Sequence, residues 1–133
     1  NKVVDSTEHP IAPRVAQLLV KTAHHFSAHE VTLISGYRSG HAGKHSTSEA
    51  LDFEIAGVRS NVLASYLRTL PKVGVGVYTN PKTRYVHLDV REDSFHWFDA
   101  SPPGKTWREK GITDAHAHER DVAYAPQDDL PER

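Results

Sequence analysis

The sequence predicts an α+β fold in which helices flank a small, mostly antiparallel sheet. Two stretches carry apolar residues at helical spacing, and four short stretches are rich in β-branched residues or alternate in polarity. Along the chain the order is helix, strand, loop, strand, helix and hairpin, which is typical of an α+β domain. The 133 residues suffice for one ordinary domain, and 38% hydrophobic with 25% charged residues is a globular profile.

The composition excludes several classes of protein. Sixteen basic and seventeen acidic residues give a net charge of −1, so no strong field favours nucleic acid or an anionic membrane. No apolar run approaches the roughly 20 residues that span a bilayer. The chain lacks Cys, which excludes disulfides and thiolate metal sites, and it lacks Met, which predicts the mature part of a longer precursor. Since Cys is absent and the chain has ten His, any transition metal would be bound by imidazole and carboxylate.

The first predicted helix follows a short tail. Residues 1–9 carry little pattern, which is typical of a tail. Pro10 and Pro13 fit the first turn of a helix, and apolar residues then recur at helical spacing. We expect a helix over residues 13–28, and the β-branched run 31–34 predicts a buried strand.

A loop, a strand and a second helix are predicted in the middle of the chain. Residues 38–48 are rich in Gly, Ser and His, which indicates a surface loop. Residues 50–55 alternate in polarity and predict a strand with one buried face. A second apolar stripe at helical spacing follows, with Ser60 or Asn61 as its cap, and Pro71 ends that helix.

A hairpin completes the predicted sheet. Residues 73–78 alternate Val with Gly, which predicts a strand under close packing. Turn residues follow, and residues 85–90 alternate apolar and polar side chains as a returning strand does. We therefore assign residues 10–110 to a single domain and residues 111–133 to a charged C-terminal tail.

Polar residues of metal-ligand type occur on two of the predicted strands. His87 and Asp89 alternate with apolar residues, so both point to the same face of their strand. His45 ends the loop, and Asp52 lies in the strand that follows it. Catalytic zinc sites use three nitrogen or oxygen ligands and leave a fourth position for water. His45, Asp52 and His87 would supply such a set.

Four short motifs occur in a fixed order between residues 33 and 97. They are Ser35-Gly36-Tyr37-Arg38-Ser39, His45-x-x-Ser48-x-Ala50-x-Asp52-Phe53, Gly74-Val75-Gly76-Val77-Tyr78 and Val86-His87-Leu88-Asp89. In this order the series resembles the zinc D-alanyl-D-alanine carboxypeptidase family, and more narrowly its bacterial murein endopeptidase branch. Each motif alone is weak, whereas the ordered series covers roughly half of the chain and is specific.

The resemblance implies a fold, a cofactor and an activity. It implies the LAS-type metallopeptidase fold, with Zn²⁺ held by His45, Asp52 and His87. It also implies an exported protein of the periplasm or cell envelope that cleaves peptidoglycan stem or cross-link peptides, as an endopeptidase or a D,D- or L,D-carboxypeptidase. Gly43 and Ser48 depart from the family's first motif, which has Ser and Gly there. The alternative is therefore a non-catalytic, zinc-containing module of the same fold that binds the cell wall or a partner.

Four more residues are candidates for catalysis or substrate binding. Hydrolysis needs a general base, and Asp89 is the first candidate because it shares a strand face with His87. The alternative role for Asp89 is to hold the His87 imidazole in one tautomer. Arg38 is a candidate to pair with a substrate carboxylate, or else it forms a salt bridge within its loop. Tyr78 and Trp97 are candidates for the wall of a peptide groove, with simple packing as the alternative.

A second histidine competes for the third ligand position. Asp93-x-Phe95-His96 resembles the acidic-x-Trp-His signature of another branch of the family, in which His96 would bind the metal and Asp93 would be the base. The strand alternation and the preceding Gly-Val hairpin favour His87. A His-rich protein with several weak metal sites and no catalytic role is the remaining hypothesis. Nothing in the sequence indicates an oligomeric state.

Overall fold

A computed structural model describes residues 2–4, 13–35, 50–78, 85–99 and 110–131. The described elements are β1 (Lys2–Val4), α1 (Pro13–His25), β2 (Glu30–Ser35), β3 (Ala50–Glu54), α2 (Ser60–Leu67), β4 (Val73–Tyr78), β5 (Val86–Val90), β6 (Phe95–Asp99), β7 (Lys110–Ile112), α3 (Ala117–Val122) and a 3-10 helix (Pro126–Asp129). None of the described helices is long and apolar enough to cross a bilayer.

The described strands form one mixed sheet in the order β1-β2-β3-β5-β4-β6-β7. Two neighbouring pairs are parallel, β1 with β2 and β4 with β6, and the other four pairs are antiparallel. The α+β class is therefore confirmed, and β4 and β5 form the predicted antiparallel pair. The sheet is wider than predicted, because β1, β6 and β7 come from stretches in which the sequence predicts no strand.

α1 begins at Pro13 as predicted but ends at His25, before the predicted end at residue 28. Ser27 adopts a left-handed conformation with φ of 53°. The N–H of Ser27 donates to the His24 carbonyl at 3.1 Å, and the N–H of Ala28 donates to the Ala23 carbonyl at 2.8 Å. These two bonds form a Schellman motif, which ends the helix and turns the chain towards β2.

The hydrophobic core lies between the two long helices and one face of the sheet. α1 and α2 both contribute their apolar stripes, as their spacing predicts. The strands contribute the alternate residues of that face: Val31, Leu51, Phe53, Val73, Val75, Val77, Val86 and Leu88. Because strand residues alternate between faces, the intervening residues of β3, β4, β5 and β6 lie on the opposite face of the sheet.

Residues 110–131 are packed against the rest of the described chain and hydrogen-bonded to it. Nearly all of these residues fall within the predicted charged tail. Asp121 accepts hydrogen bonds from the backbone N–H of Lys72 at 2.6 Å and of Ser94 at 2.7 Å. Asp129 accepts from Arg14 at 3.2 Å and from the Tyr124 hydroxyl at 2.6 Å. Two buried carboxylates thus fasten the C-terminal segment to α1 and to the starts of β4 and β6.

Candidate functional site

The face of the sheet opposite the core carries the polar residues that the sequence singles out. One row of paired residues crosses four strands: Asp52 pairs with His87, His87 with Gly76, and Gly76 with Trp97. Asp89 lies two residues after His87 on the same face. Strand register therefore brings together Asp52 and His87, which lie 35 positions apart in the sequence.

His87 lies between two carboxylates. Its Nδ1 atom is 3.3 Å from Oδ1 of Asp52, and its Nε2 atom is 2.7 Å from Oδ2 of Asp89. All three side chains are buried. Burial alone would lower the pKa of His87, but the hydrogen bonds and charges of Asp52 and Asp89 outweigh it and raise that pKa. The two nitrogens thus have different partners, and Nδ1 is the one that faces Asp52.

The pair formed by Asp52 and His87 fits two ligands of a zinc ion. Two donors bound at 2.0–2.1 Å in a tetrahedral arrangement lie about 3.3–3.4 Å apart, which matches the 3.3 Å between Oδ1 and Nδ1. Imidazole and carboxylate are also donors that zinc prefers in catalytic sites. Within the described residues no group of three His or acidic side chains is arranged to hold a metal. His45, the third predicted ligand, lies outside the described residues.

Asp89 is engaged by two side chains at once. Its Oδ2 atom bonds His87, while Arg91 donates from Nε to Oδ1 at 2.6 Å and from Nη2 to Oδ2 at 2.9 Å. Burial alone would raise the pKa of Asp89, but the hydrogen bonds from His87 and Arg91 hold that pKa below its usual value. This geometry matches a carboxylate that orients a metal-ligating His. The general-base role of Asp89 stays a prediction.

Two glycines of β4 make room for these groups. A Cβ at Gly74 would lie 2.4 Å from Arg91 Nε and from Asp89 Oδ1, and a Cβ at Gly76 would lie 2.6 Å from the indole ring of Trp97. The Trp97 ring extends over Gly76 to within 5.1 Å of the His87 ring, centroid to centroid. The close packing predicted from the Val-Gly alternation is therefore confirmed, and it occurs on the face that carries the site.

An aromatic pair lies beside Asp52, at the same carboxylate oxygen that faces His87. The Tyr78 hydroxyl donates to Asp52 Oδ1 at a long 3.4 Å, and the Tyr78 ring meets the Tyr85 ring edge to face at 5.0 Å. Tyr78 is partly exposed, so its predicted contact with substrate is compatible with its place beside Asp52. Arg38, the other predicted substrate-binding residue, lies outside the described residues.

His96, the competing ligand, lies on the other face of the sheet. It pairs with Val75, a core residue, whereas Trp97 is the neighbour that shares the face of His87. His96 is 2% exposed, and its Nδ1 atom is 3.7 Å from Asp114. The sheet therefore separates His96 from Asp52, and Asp93 is exposed in the turn before β6.

We expect His96 to lower the stability of the fold in acid. Burial lowers the pKa of His96 below 6.5, Asp114 opposes the shift, and Arg120 and Arg68 add to it. Between the folded pKa and 6.5 His96 binds more protons in the unfolded chain than in the folded chain, so its contribution to the unfolding free energy falls as the pH drops below about 6.5. Denaturant titrations measure the unfolding free energy near pH 8 and near pH 5.5. Between these two pH values the wild type should lose more unfolding free energy than His96→Asn. His87 is present in both proteins, so equal losses would contradict the prediction.

Arg91 belongs to this site although no motif in the sequence points to it. Its signal was nevertheless present, because residues 87, 89 and 91 alternate along one strand and Arg91 continues the polar face. For Trp97 the sequence offers packing and substrate contact as alternatives. In the structure Trp97 is 7% exposed and packs on His87, so packing accounts for most of its surface.

Comparisons with known proteins agree with the family indicated by the motif series. No curated protein and no solved structure matches the chain. The family profile described as Peptidase M15 matches residues 1–89, which include β3, β4 and all of β5 except its last residue. This match covers about two thirds of the chain and contains Asp52, His87 and Asp89. The chain therefore belongs to the Peptidase M15 family.

Proposed function

We propose that this chain is a zinc-dependent peptidase that cleaves the peptides of bacterial peptidoglycan. The observation that carries the proposal is the pairing of Asp52 with His87 across β3 and β5, with their donor atoms 3.3 Å apart, in a member of a peptidase family. In this proposal the protein has the LAS-type fold and is exported to the periplasm or cell envelope, where its substrate occurs.

In the proposed site a few side chains have separate roles in metal binding, in orienting a ligand and in substrate binding. Asp52 and His87, together with His45, would hold Zn²⁺, which when bound polarises a carbonyl group and activates water. By accepting a hydrogen bond from Nε2 of His87, Asp89 would leave the Nδ1 lone pair for the ion that Asp52 also binds. Tyr78, next to Asp52, would contact the peptide, and Arg38 would pair with a substrate carboxylate.

Asp89 remains a candidate for the general base, but its contacts favour the supporting role. Both of its oxygens are within hydrogen-bond distance of His87 or Arg91, so a proton taken by Asp89 would disrupt those contacts. The low pKa of Asp89 also makes its carboxylate a weak base, because efficient general bases have pKa values near the working pH.

The experiment that tests the proposal measures metal content and hydrolysis together. The purified protein should contain about one zinc per chain and should cleave purified murein peptides. A chelator should abolish cleavage, and added Zn²⁺ should restore it. Cleavage that survives complete removal of the metal, or a protein that binds no zinc, would contradict the proposal.

A non-catalytic, zinc-containing module is the second candidate. It is favoured by the engagement of Asp89, whose oxygens are held by His87 and Arg91 rather than directed at an open position. This candidate predicts one zinc per chain and binding to cell-wall peptides, with no cleavage of any linkage. The same measurement of metal content and hydrolysis distinguishes it from the peptidase. Several loosely bound metals per chain would instead support a metal-scavenging protein.

A further inference from the structure

Arg91 joins the candidate metal site to the aromatic side chains of β6. Its guanidinium group binds both oxygens of Asp89, through Nε at 2.6 Å and Nη2 at 2.9 Å. The same group lies over two rings, 5.1 Å from the centroid of Trp97 and 5.6 Å from that of Phe95. Arg91 therefore fixes a carboxylate on one side and rests on stacked aromatic rings on the other.

These contacts form a closed cycle of four side chains that includes His87. His87 bonds Asp89, Asp89 bonds Arg91, Arg91 stacks on Trp97, and Trp97 packs on His87. The backbone N–H of Arg91 also donates to the Lys72 carbonyl at 3.0 Å, which fixes the start of the side chain. A side chain held at both ends has little freedom to rotate, so the plane of the Asp89 carboxylate is fixed as well.

We propose that Arg91 is a positioning residue of the candidate metal site. Acting through Asp89, it determines which nitrogen of His87 carries the proton and which faces Asp52. A carboxylate held by a two-point fork accepts the Nε2 proton of His87 in one orientation, and this leaves Nδ1 as the metal-binding atom. The inference deepens the proposed function and rests on it, because it assigns a role around the same site.

The competing explanation is that the pair of Arg91 and Asp89 only stabilises the fold. Arg120 provides a matched comparison, because it also forms a 2.6 Å ion pair with an aspartate, Asp114. The two arginine side chains are similarly exposed, at 31% for Arg91 and 27% for Arg120. Arg120 contacts Asp114, the partner of His96 on the core face, so its loss affects the fold without touching His87.

The first test measures zinc affinity by competition with a chromogenic chelator. Arg91→Gln should weaken zinc binding about tenfold, at the lower end of the range for residues outside the ligand set. Arg91→Lys should restore little of this affinity, because an ammonium group cannot form the two-point fork. Arg120→Gln should keep the wild-type affinity. Wild-type affinity in Arg91→Gln or in Arg91→Lys would overturn the proposal.

The second test needs no metal. In the metal-free protein, at a pH high enough for the ring ¹⁵N chemical shifts of His87 to report a neutral imidazole, those shifts should show the Nε2–H tautomer. Arg91→Gln should give a mixture of tautomers, whereas Arg120→Gln should not. An unchanged tautomer in Arg91→Gln would overturn the inference. A wild-type protein that binds no zinc but shows this tautomer change would contradict the proposed function and leave the role of Arg91 supported.

Discussion

His87→Ala is expected to lose tight zinc binding and, with it, chelator-sensitive hydrolysis of murein peptides. The substitution removes the nitrogen that lies 3.3 Å from Asp52 and leaves Asp89 with Arg91 as its partner among the described residues. Substituting a residue that only orients a metal ligand typically weakens metal affinity by about 10–100-fold. Removing a ligand itself should weaken the affinity by more than that. Zinc content after dialysis and competition with a chelator measure the effect directly.

His96→Ala is the matched control for this prediction. It removes another buried imidazole, but from β6, which β4 separates from β5, and from the face of the sheet that carries Val75 and the core. We expect His96→Ala to unfold at a lower denaturant concentration and to keep one tightly bound zinc per folded chain. If His96→Ala loses zinc and His87→Ala keeps it, the assignment of the third ligand is wrong.

The periodicity of the sequence accounts for most of the predicted fold and for little of the C-terminal third. α1, α2 and the strands β2 to β5 have clear apolar periodicity because each buries one face in the same core. β6 lacks such a pattern, since His96 is buried on one face and Trp97 on the other. The segment 110–131 is held by carboxylates such as Asp121 and Asp129, and hydrogen bonds of this kind leave no periodic signal.

Alternation along one strand predicts neighbours on a face but cannot predict the pairing between strands. This alternation predicts that His87 and Asp89 lie on one face, and the contact between their side chains confirms it. The meeting of Asp52 with His87 depends on the register between β3 and β5, which the packing of the whole sheet determines. The register between β4 and β6 likewise decides that His96 faces the core, so local sequence favours His87 as the ligand without excluding His96.

Gly76→Ala is expected to lower the unfolding free energy by about 1–3 kcal/mol and to weaken zinc binding. The added Cβ would lie 2.6–2.7 Å from three atoms of the Trp97 indole, so the ring must move. Trp97 is 7% exposed and packs against both His87 and Arg91, so its displacement would disturb the side chains that orient the imidazole. Denaturant unfolding and chelator competition measure the two effects in the same variant.

Gly111→Ala and a double variant separate this mechanism from a general intolerance of alanine in strands. A Cβ at Gly111 would lie 3.3 Å from the edge of Phe95, a ring that is 46% exposed. A shift of a few tenths of an ångström relieves that contact, so the loss of stability should be small. In a Trp97→Phe background the smaller ring leaves space above Gly76. Gly76→Ala should then lower the unfolding free energy by less than it does in the protein that keeps Trp97. An equal cost in both backgrounds would show that contact with Trp97 is not the reason for glycine at this position.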